Sequence, residues 1–229
     1  MIEIEDILDI SEEFVFISVQ KKHTNEWKKG QYFIIRYGDN LSGEVVFPVE
    51  IRGKVYFGIC KDSEVYKYIS DRKGFENIEG PCGKPLDMSR FKNPLGVSKG
   101  KGIFPILSVL EDIRIYNIGN SINMDLIRIR GLSDINILKK IIEEIGCDVI
   151  LTAGDNELSE YISNMNLGCE VYACVETPIL DGTGLCIICR VYINGEMKLN
   201  CVDGPWFPAK FVDWEGLRNK EVSKGCLKG

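Results

Sequence analysis

Three cysteines and one aspartate crowd a short C-terminal stretch of this 229-residue chain, in the order Asp181-x4-Cys186-x2-Cys189-x11-Cys201. Thiolates and a carboxylate are all anionic donors to a metal. A C-x4-C-x2-C run with a distant fourth cysteine is spaced to fold around a [2Fe–2S] cluster, and here Asp181 stands at the first position. Such a loop must wrap two irons while leaving backbone amides free to face sulfur. Gly182 and Gly184 permit the positive-φ turns and close backbone approach this needs. Downstream, Val191–Leu199 reads as two strand-like runs joined by Asn194-Gly195, the residue pair of a type I′ turn. That hairpin would return Cys201 alongside Cys189. Asp181, Cys186, Cys189 and Cys201 are therefore the expected metal ligands.

Three other readings of the same residues stay open. Structural zinc prefers Cys and His ligands, and the single histidine, His23, is far away in sequence. A thioredoxin-type Cys186/Cys189 dithiol belongs at a helix N-terminus after a strand, which the downstream strand and Cys201 argue against. The pair could also be unligated core thiols. That is the default for the scattered Cys60, Cys82, Cys147, Cys169, Cys174 and Cys226. The chain holds nine cysteines, an odd number. In a reducing compartment such a cluster points to metal or redox chemistry rather than disulfides.

The elements that must position this segment change character along the chain. Residues 13–19, 32–37, 44–50 and 54–59 are apolar and β-branched, with Arg52-Gly53 as a hairpin turn. A short helix near 63–70 and a Gly/Pro-rich stretch, Glu79–Pro85, follow. These short strands predict a small antiparallel β-barrel. From about residue 92, strands 95–97, 113–118, 126–129, 148–154 and 170–175 alternate with helices near 103–111, 133–145 and 157–164. Ser133 and Asp134 are capping candidates. That alternation predicts a small α/β layer with a mainly parallel sheet. The fold class is thus α+β, divided as 1–91 barrel, 92–175 reduced Rossmann-like layer and 176–229 cluster-binding segment.

A net charge of -6 gives no reward for binding nucleic acid or acidic membranes. The acidic Met1–Asp6 start is unlike the basic start of a signal peptide, and no apolar run is long enough to span a bilayer. The expectation is a cytoplasmic protein, with no nucleic-acid partner and no membrane insertion.

The run Asp181-Gly182-Thr183-Gly184-Leu185-Cys186-Ile187-Ile188-Cys189-Arg190-Val191 is followed by Gly195-Glu196, Cys201-Val202-Asp203-Gly204-Pro205 and Val212-Asp213-Trp214. Together these closely resemble the C-terminus of a family of small electron-transfer subunits. The family comprises those of NADH-dependent ferredoxin:NADP oxidoreductase, sulfide dehydrogenase and dihydroorotate dehydrogenase, in the ferredoxin-reductase-like superfamily. The ferredoxin:NADP branch carries D-G-T-G-x-C with Asp as ligand, so the resemblance implies that Asp181 is a native ligand. Gly30–Arg36 is similar to the family's barrel strand, Gly80-Pro81-Cys82-Gly83-Lys84-Pro85 to its barrel-closing segment, Gly100–Pro105 to its nucleotide-facing turn, and Ala153-Gly154-Asp155 to its A-G-P.

The resemblance implies a barrel that binds FAD, an α/β domain that binds a pyridine nucleotide, and a larger flavin- and iron–sulfur-containing subunit as partner. The flavin motif of Arg, Pro and Ser/Thr is eroded: Val46 and Glu50 flank Pro48, and Lys61-Asp62-Ser63-Glu64 stands where a pyrophosphate cradle is expected. Ser98-Lys99-Gly100-Lys101-Gly102 keeps only two of the usual glycines. These departures leave FAD open as a cofactor and do not favour NAD(P). The expectation is a non-autonomous oxidoreductase subunit that relays single electrons through a [2Fe–2S] cluster, without a catalytic residue of its own. The rivals are a self-sufficient FAD-containing NAD(P)H reductase and a non-catalytic scaffold with a structural metal site. Trp206 and Trp214 are expected to pack over the hairpin, Lys99, Lys101 and Arg190 to be solvated, and Asp203 to be a turn residue.

Overall fold

The computed structural model describes residues 1–24, 26–39, 43–110, 115–118, 130–132 and 137–225. The first part of the chain runs through β1 (Ile2–Asp9), β2 (Phe14–Val19), β3 (Tyr32–Arg36), β4 (Glu44–Val46), β5 (Pro48–Ile51), β6 (Lys54–Cys60), α1 (Glu64–Arg72), β7 (Gly74–Phe75) and β8 (Asn77–Cys82). These strands form two antiparallel sheets, ordered β5-β6-β2-β1-β7 and β4-β3-β8.

Residues 44–50 are expected as one strand, and the structure divides them at Phe47. β4 pairs with β3, whereas β5 pairs with β6 in the other sheet. Pro48 has no N–H to continue a ladder, so the chain changes sheets there. The Arg52-Gly53 turn has φ of 51° and 76°, the mirror-image geometry that matches strand twist. β1 goes beyond the sequence expectation, which took the N-terminus only as acidic. Its residues alternate between more and less buried positions, and it pairs with both β2 and β7.

The second part adds β9 (Pro94–Lys99), α2 (Ile103–Leu107), β10 (Ile115–Ile118), β11 (Arg130–Leu132), α3 (Leu138–Ile145), β12 (Val149–Ala153), α4 (Asn156–Ser163) and β13 (Glu170–Cys174). After it come β14 (Arg190–Ile193), β15 (Glu196–Leu199), α5 (Asn200–Asp203), β16 (Trp206–Pro208) and α6 (Trp214–Gly225). The expected strand at 126–129 and the capping candidates Ser133 and Asp134 lie outside the described residues.

The third sheet has the order β11-β10-β9-β12-β13-β16. Its first five strands are parallel, and β16 closes it antiparallel against β13. The connection reverses direction between β9 and β12, which makes a topological switch point of the kind where open α/β sheets place ligands. Here the turn after β9 packs tightly on the end of β12. A Cβ at Gly102 would run into Ala153, and one at Gly154 into the Lys99 carbonyl. Lys99 and Asp155 form an ion pair of 2.7 Å across the gap.

A single core joins these layers to the C-terminal segment. Phe16 and Tyr32 from the antiparallel sheets, Ile106 and Leu151 from the parallel layer, and Cys189 and Cys201 share one buried cluster. Among the described residues, no helix is long and apolar enough to cross a membrane.

Candidate metal centre

The loop between β13 and β14 is held by its own aspartate. The Asp181 carboxylate accepts backbone N–H bonds from Thr183 (3.0 Å), Gly184 (3.3 Å) and Cys186 (2.6 Å). Desolvation pushes the Asp181 pKa up, but these N–H donors outweigh it and hold the carboxyl down to about 2. Gly182 and Gly184 have φ of 70° and 87°, the backbone freedom expected of them. At Gly182 a Cβ would also sit 2.7 Å from Ile34 Cδ1. Ile187 takes a φ of 49°, an outlier for a β-branched residue, so the loop carries backbone strain between Cys186 and Cys189.

The hairpin does what its turn predicts. Asn194 and Gly195 have φ of 52° and 79°, and β14 pairs antiparallel with β15 from Arg190–Leu199 to Ile193–Glu196. Cys201 returns beside Cys189 with 3.1 Å between their sulfurs. Two further bonds fix this approach, Asn200 N–H to the Cys189 carbonyl (3.0 Å) and Cys201 N–H to the Cys189 sulfur (3.4 Å). Burial, followed by the neighbouring Cys189 sulfur, pushes the Cys201 thiol up to about 12.

The turn that carries Cys201 is tied down on three sides. Asn200, 1% exposed, donates to the Val175 carbonyl (2.7 Å) and to Thr177 Oγ1 (2.9 Å). Asp203 accepts the Leu199 N–H at 3.0 Å and pairs with Lys84 at 3.0 Å, so it is more than a turn residue: it clamps this turn. From the segment just after β8, the Gly83 N–H donates to the Cys201 carbonyl (3.0 Å) and the Lys84 N–H to the Gly204 carbonyl (2.6 Å).

The four expected ligands thus fall into two neighbouring pairs. Cys189 and Cys201 meet through their sulfurs, and Asp181 meets Cys186 through that residue's backbone N–H. Among the described residues, no three of His, Cys, Asp and Glu converge as a single metal ion would require. A [2Fe–2S] cluster would be held instead by donors shared between two ends of the segment. The adjacent Cys189 and Cys201 sulfurs would form one half of such a donor set, and Asp181 and Cys186 on the preceding loop would form the other.

Orphaned donors fit it as well. The Tyr32 hydroxyl and the Trp206 indole N–H are buried, with no hydrogen-bond partner among the described residues. Both sit in the core cluster that contains Cys174, Cys189 and Cys201, where cluster sulfur would supply acceptors. Trp206 pairs in register with Cys174. Trp214 packs with Val191 of β14 and donates from Nε1 to the Ala209 carbonyl at 3.1 Å.

Two residues that spacing did not single out stand at this site. Cys82 pairs in register with Tyr32, and its sulfur would lie 3.3 Å from a Cβ on Gly182. Cys174 is buried in the same core. Nothing local in the sequence marks either one, because strand pairing and core packing bring them here.

A cavity of about 450 Å³ opens beside the centre, lined by Tyr32, Phe47, Phe104, Cys174, Lys101 and Arg190 among others. Tyr32 and Phe47 line it as a tilted pair, with ring centroids 5.9 Å apart. The stretch expected to cradle a diphosphate is spent on the fold. Lys61 pairs with Asp9 at 2.7 Å. The Ser63 hydroxyl caps α1, accepting from Tyr66 N–H at 3.2 Å and donating to the Cys60 carbonyl at 2.6 Å. Lys61 and Ser63 are therefore engaged by the fold rather than free at this cavity.

The fold is ferredoxin-reductase-like. Residues 172–213 match the iron–sulfur cluster binding domain of dihydroorotate dehydrogenase B. The chain is homologous to the electron transfer subunit homolog of dihydroorotate dehydrogenase B (NAD(+)) from Thermotoga maritima, at 25% identity over 168 residues. That alignment covers 62% of this chain and 60% of the relative. The chain thus spans less than two thirds of that relative's length.

Among solved structures, the fold is shared with the NADH-dependent reduced ferredoxin-NADP oxidoreductase, with a TM-score of 0.77 and 20% identity over 96% of this chain and 92% of that one. It is also shared with phthalate dioxygenase reductase, a modular protein for electron transfer from pyridine nucleotides to [2Fe–2S]. There the TM-score is 0.57 at 15% identity, over 96% of this chain and 80% of that one.

Proposed function

We propose that this chain is an electron-transfer subunit whose [2Fe–2S] cluster is held by Asp181, Cys186, Cys189 and Cys201. Its partner is a larger flavin- and iron–sulfur-containing oxidoreductase subunit, in the cytoplasm. The observation that carries this reading is the approach of Cys189 and Cys201 to 3.1 Å, across a loop built on positive-φ glycines. The cluster, when bound, supplies a one-electron couple.

The chain's own residues do the positioning. Asp203, Lys84 and Asn200 hold the Cys201 turn, and Cys189 sits 1% exposed beneath it. Leu185, Ile187 and Ile188 stand 87%, 50% and 42% exposed on the loop. Such apolar exposure around a redox centre suits docking to a partner. The division into 1–91, 92–175 and 176–229 belongs to the same proposal, with the last segment as the electron-carrying part.

Anaerobic purification with iron, acid-labile sulfide and flavin assays tests the reading. Iron and sulfide in equal amounts, with a one-electron EPR signal, are expected. Zinc alone, or no metal, would sink it. Asp181→Cys tests the ligand: an unchanged EPR spectrum and potential would mean that Asp181 is not bound to iron. The aromatic-walled cavity favours a second reading, a reductase with its own FAD. Stoichiometric FAD with bleaching by NAD(P)H would establish that instead.

A further inference from the structure

Tyr32 is fully buried on β3, and a phenylalanine would fill the same apolar space. Its hydroxyl has no partner among the described residues, although a buried donor without an acceptor is costly and calls for an explanation. Cysteines are among its neighbours. Tyr32 pairs in register with Cys82, the next residue in that segment binds the Cys201 carbonyl, and Cys174, Cys189 and Cys201 share its core cluster. The phenol's pKa is raised, chiefly by burial and then by Cys82, Cys201, Cys189 and Cys174, so it stays a neutral donor at any ordinary pH.

We propose that Tyr32 is a positioning residue that donates its O–H to sulfur at the Cys189/Cys201 corner of the cluster and thereby raises its reduction potential. The inference rests on the proposed cluster. Its physical basis is that a hydrogen bond to sulfur strengthens when an added electron makes that sulfur more negative. It therefore favours the reduced state, one of the ways in which proteins set cluster potentials. Tyr32 also lines the cavity; a hydroxyl that serves a cavity ligand instead would leave the cluster potential unchanged on substitution.

The test compares the wild-type full chain with Tyr32→Phe, both purified anaerobically, by iron and sulfide content and EPR-monitored redox titration. Equal cluster content is expected, with the Tyr32→Phe ratio of reduced to oxidised cluster about tenfold lower at a given potential. That is a downward shift of about 59 mV for one electron. Replacing Tyr32 by 3-fluorotyrosine, a stronger donor of nearly the same size, should move the potential the other way. A merely structural role would not produce opposite signs. If both variants load the cluster at the wild-type potential, Tyr32 does not bond to it and the proposal is overturned. If Tyr32→Phe fails to load, the sign of the fluorotyrosine shift decides alone. A wild-type chain without iron and sulfide would instead refute the cluster reading itself, which the metal assay registers separately.

Discussion

Gly83→Ala probes the junction between the first sheets and the cluster segment. Gly83 has φ 77°, and a Cβ there would run into the Gly204 carbonyl and lie 3.1 Å from Pro205 Cδ. The obstructing atoms are largely backbone, so relief requires moving the turn that carries Cys201. Two bonds cross this junction, Gly83 N–H to the Cys201 carbonyl at 3.0 Å and Lys84 N–H to the Gly204 carbonyl at 2.6 Å. Placing alanine at positive φ costs about 1 kcal/mol, and losing the two bonds costs about 1 kcal/mol each. The expected total is about 3 kcal/mol.

Gly195→Ala is the matched control, with φ 79° and nothing within 4 Å of its Cβ, so only the conformational cost of about 1 kcal/mol remains. The difference of about 2 kcal/mol corresponds to a gap in Tm of roughly 4–8 °C in a chain of this size. Urea unfolding and thermal melts of both variants measure it. Gly83→Ala should also lose visible cluster absorbance faster on exposure to air. Equal stability of the two variants would refute the packing of Gly83 against the Cys201 turn.

Asn200→Ala should destabilise by about 1–3 kcal/mol, because the buried Val175 carbonyl loses its donor; a change within error in chemical denaturation would contradict that bond. Trp214→Phe keeps the ring's packing but removes the donor to the Ala209 carbonyl, and about 1 kcal/mol of stability should go with it, read as a shift in the denaturation midpoint. Asp148 is held below the usual carboxylate range by the backbone N–H groups of Lys92 and Asn93, against some desolvation. Its folded pKa lies below its unfolded one, so its contribution is present above about pH 4 and is lost as pH falls through the folded value. Asp148→Asn should therefore flatten the acid limb of the stability curve, and identical acid limbs in wild type and variant would contradict the assignment.

The residues from Asp181 to Leu199 were legible in sequence because their geometry is local. Gly182 and Gly184 announce positive φ, and Asn194-Gly195 announces a tight hairpin; the backbone adopts both. Strand–helix alternation likewise gave the parallel layer, since each element buries a face set by its own periodicity. β1 carried the same kind of signal in its alternating burial, hidden beneath an acidic composition.

Other features depend on partners distant in the chain. Pro48 lacks the N–H to continue a ladder, but that the residues on its two sides join different sheets follows from the pairing of β4 with β3 and of β5 with β6. Ser63 and Lys61, placed by resemblance at a diphosphate, are engaged by α1 and Asp9. The approach of Cys189 to Cys201 was thus written in a short hairpin. What surrounds them was decided only by the tertiary structure. Tyr32, Cys82 and Cys174 reach the site through strand register and core packing, and pairings between segments this far apart leave no periodic trace in either one.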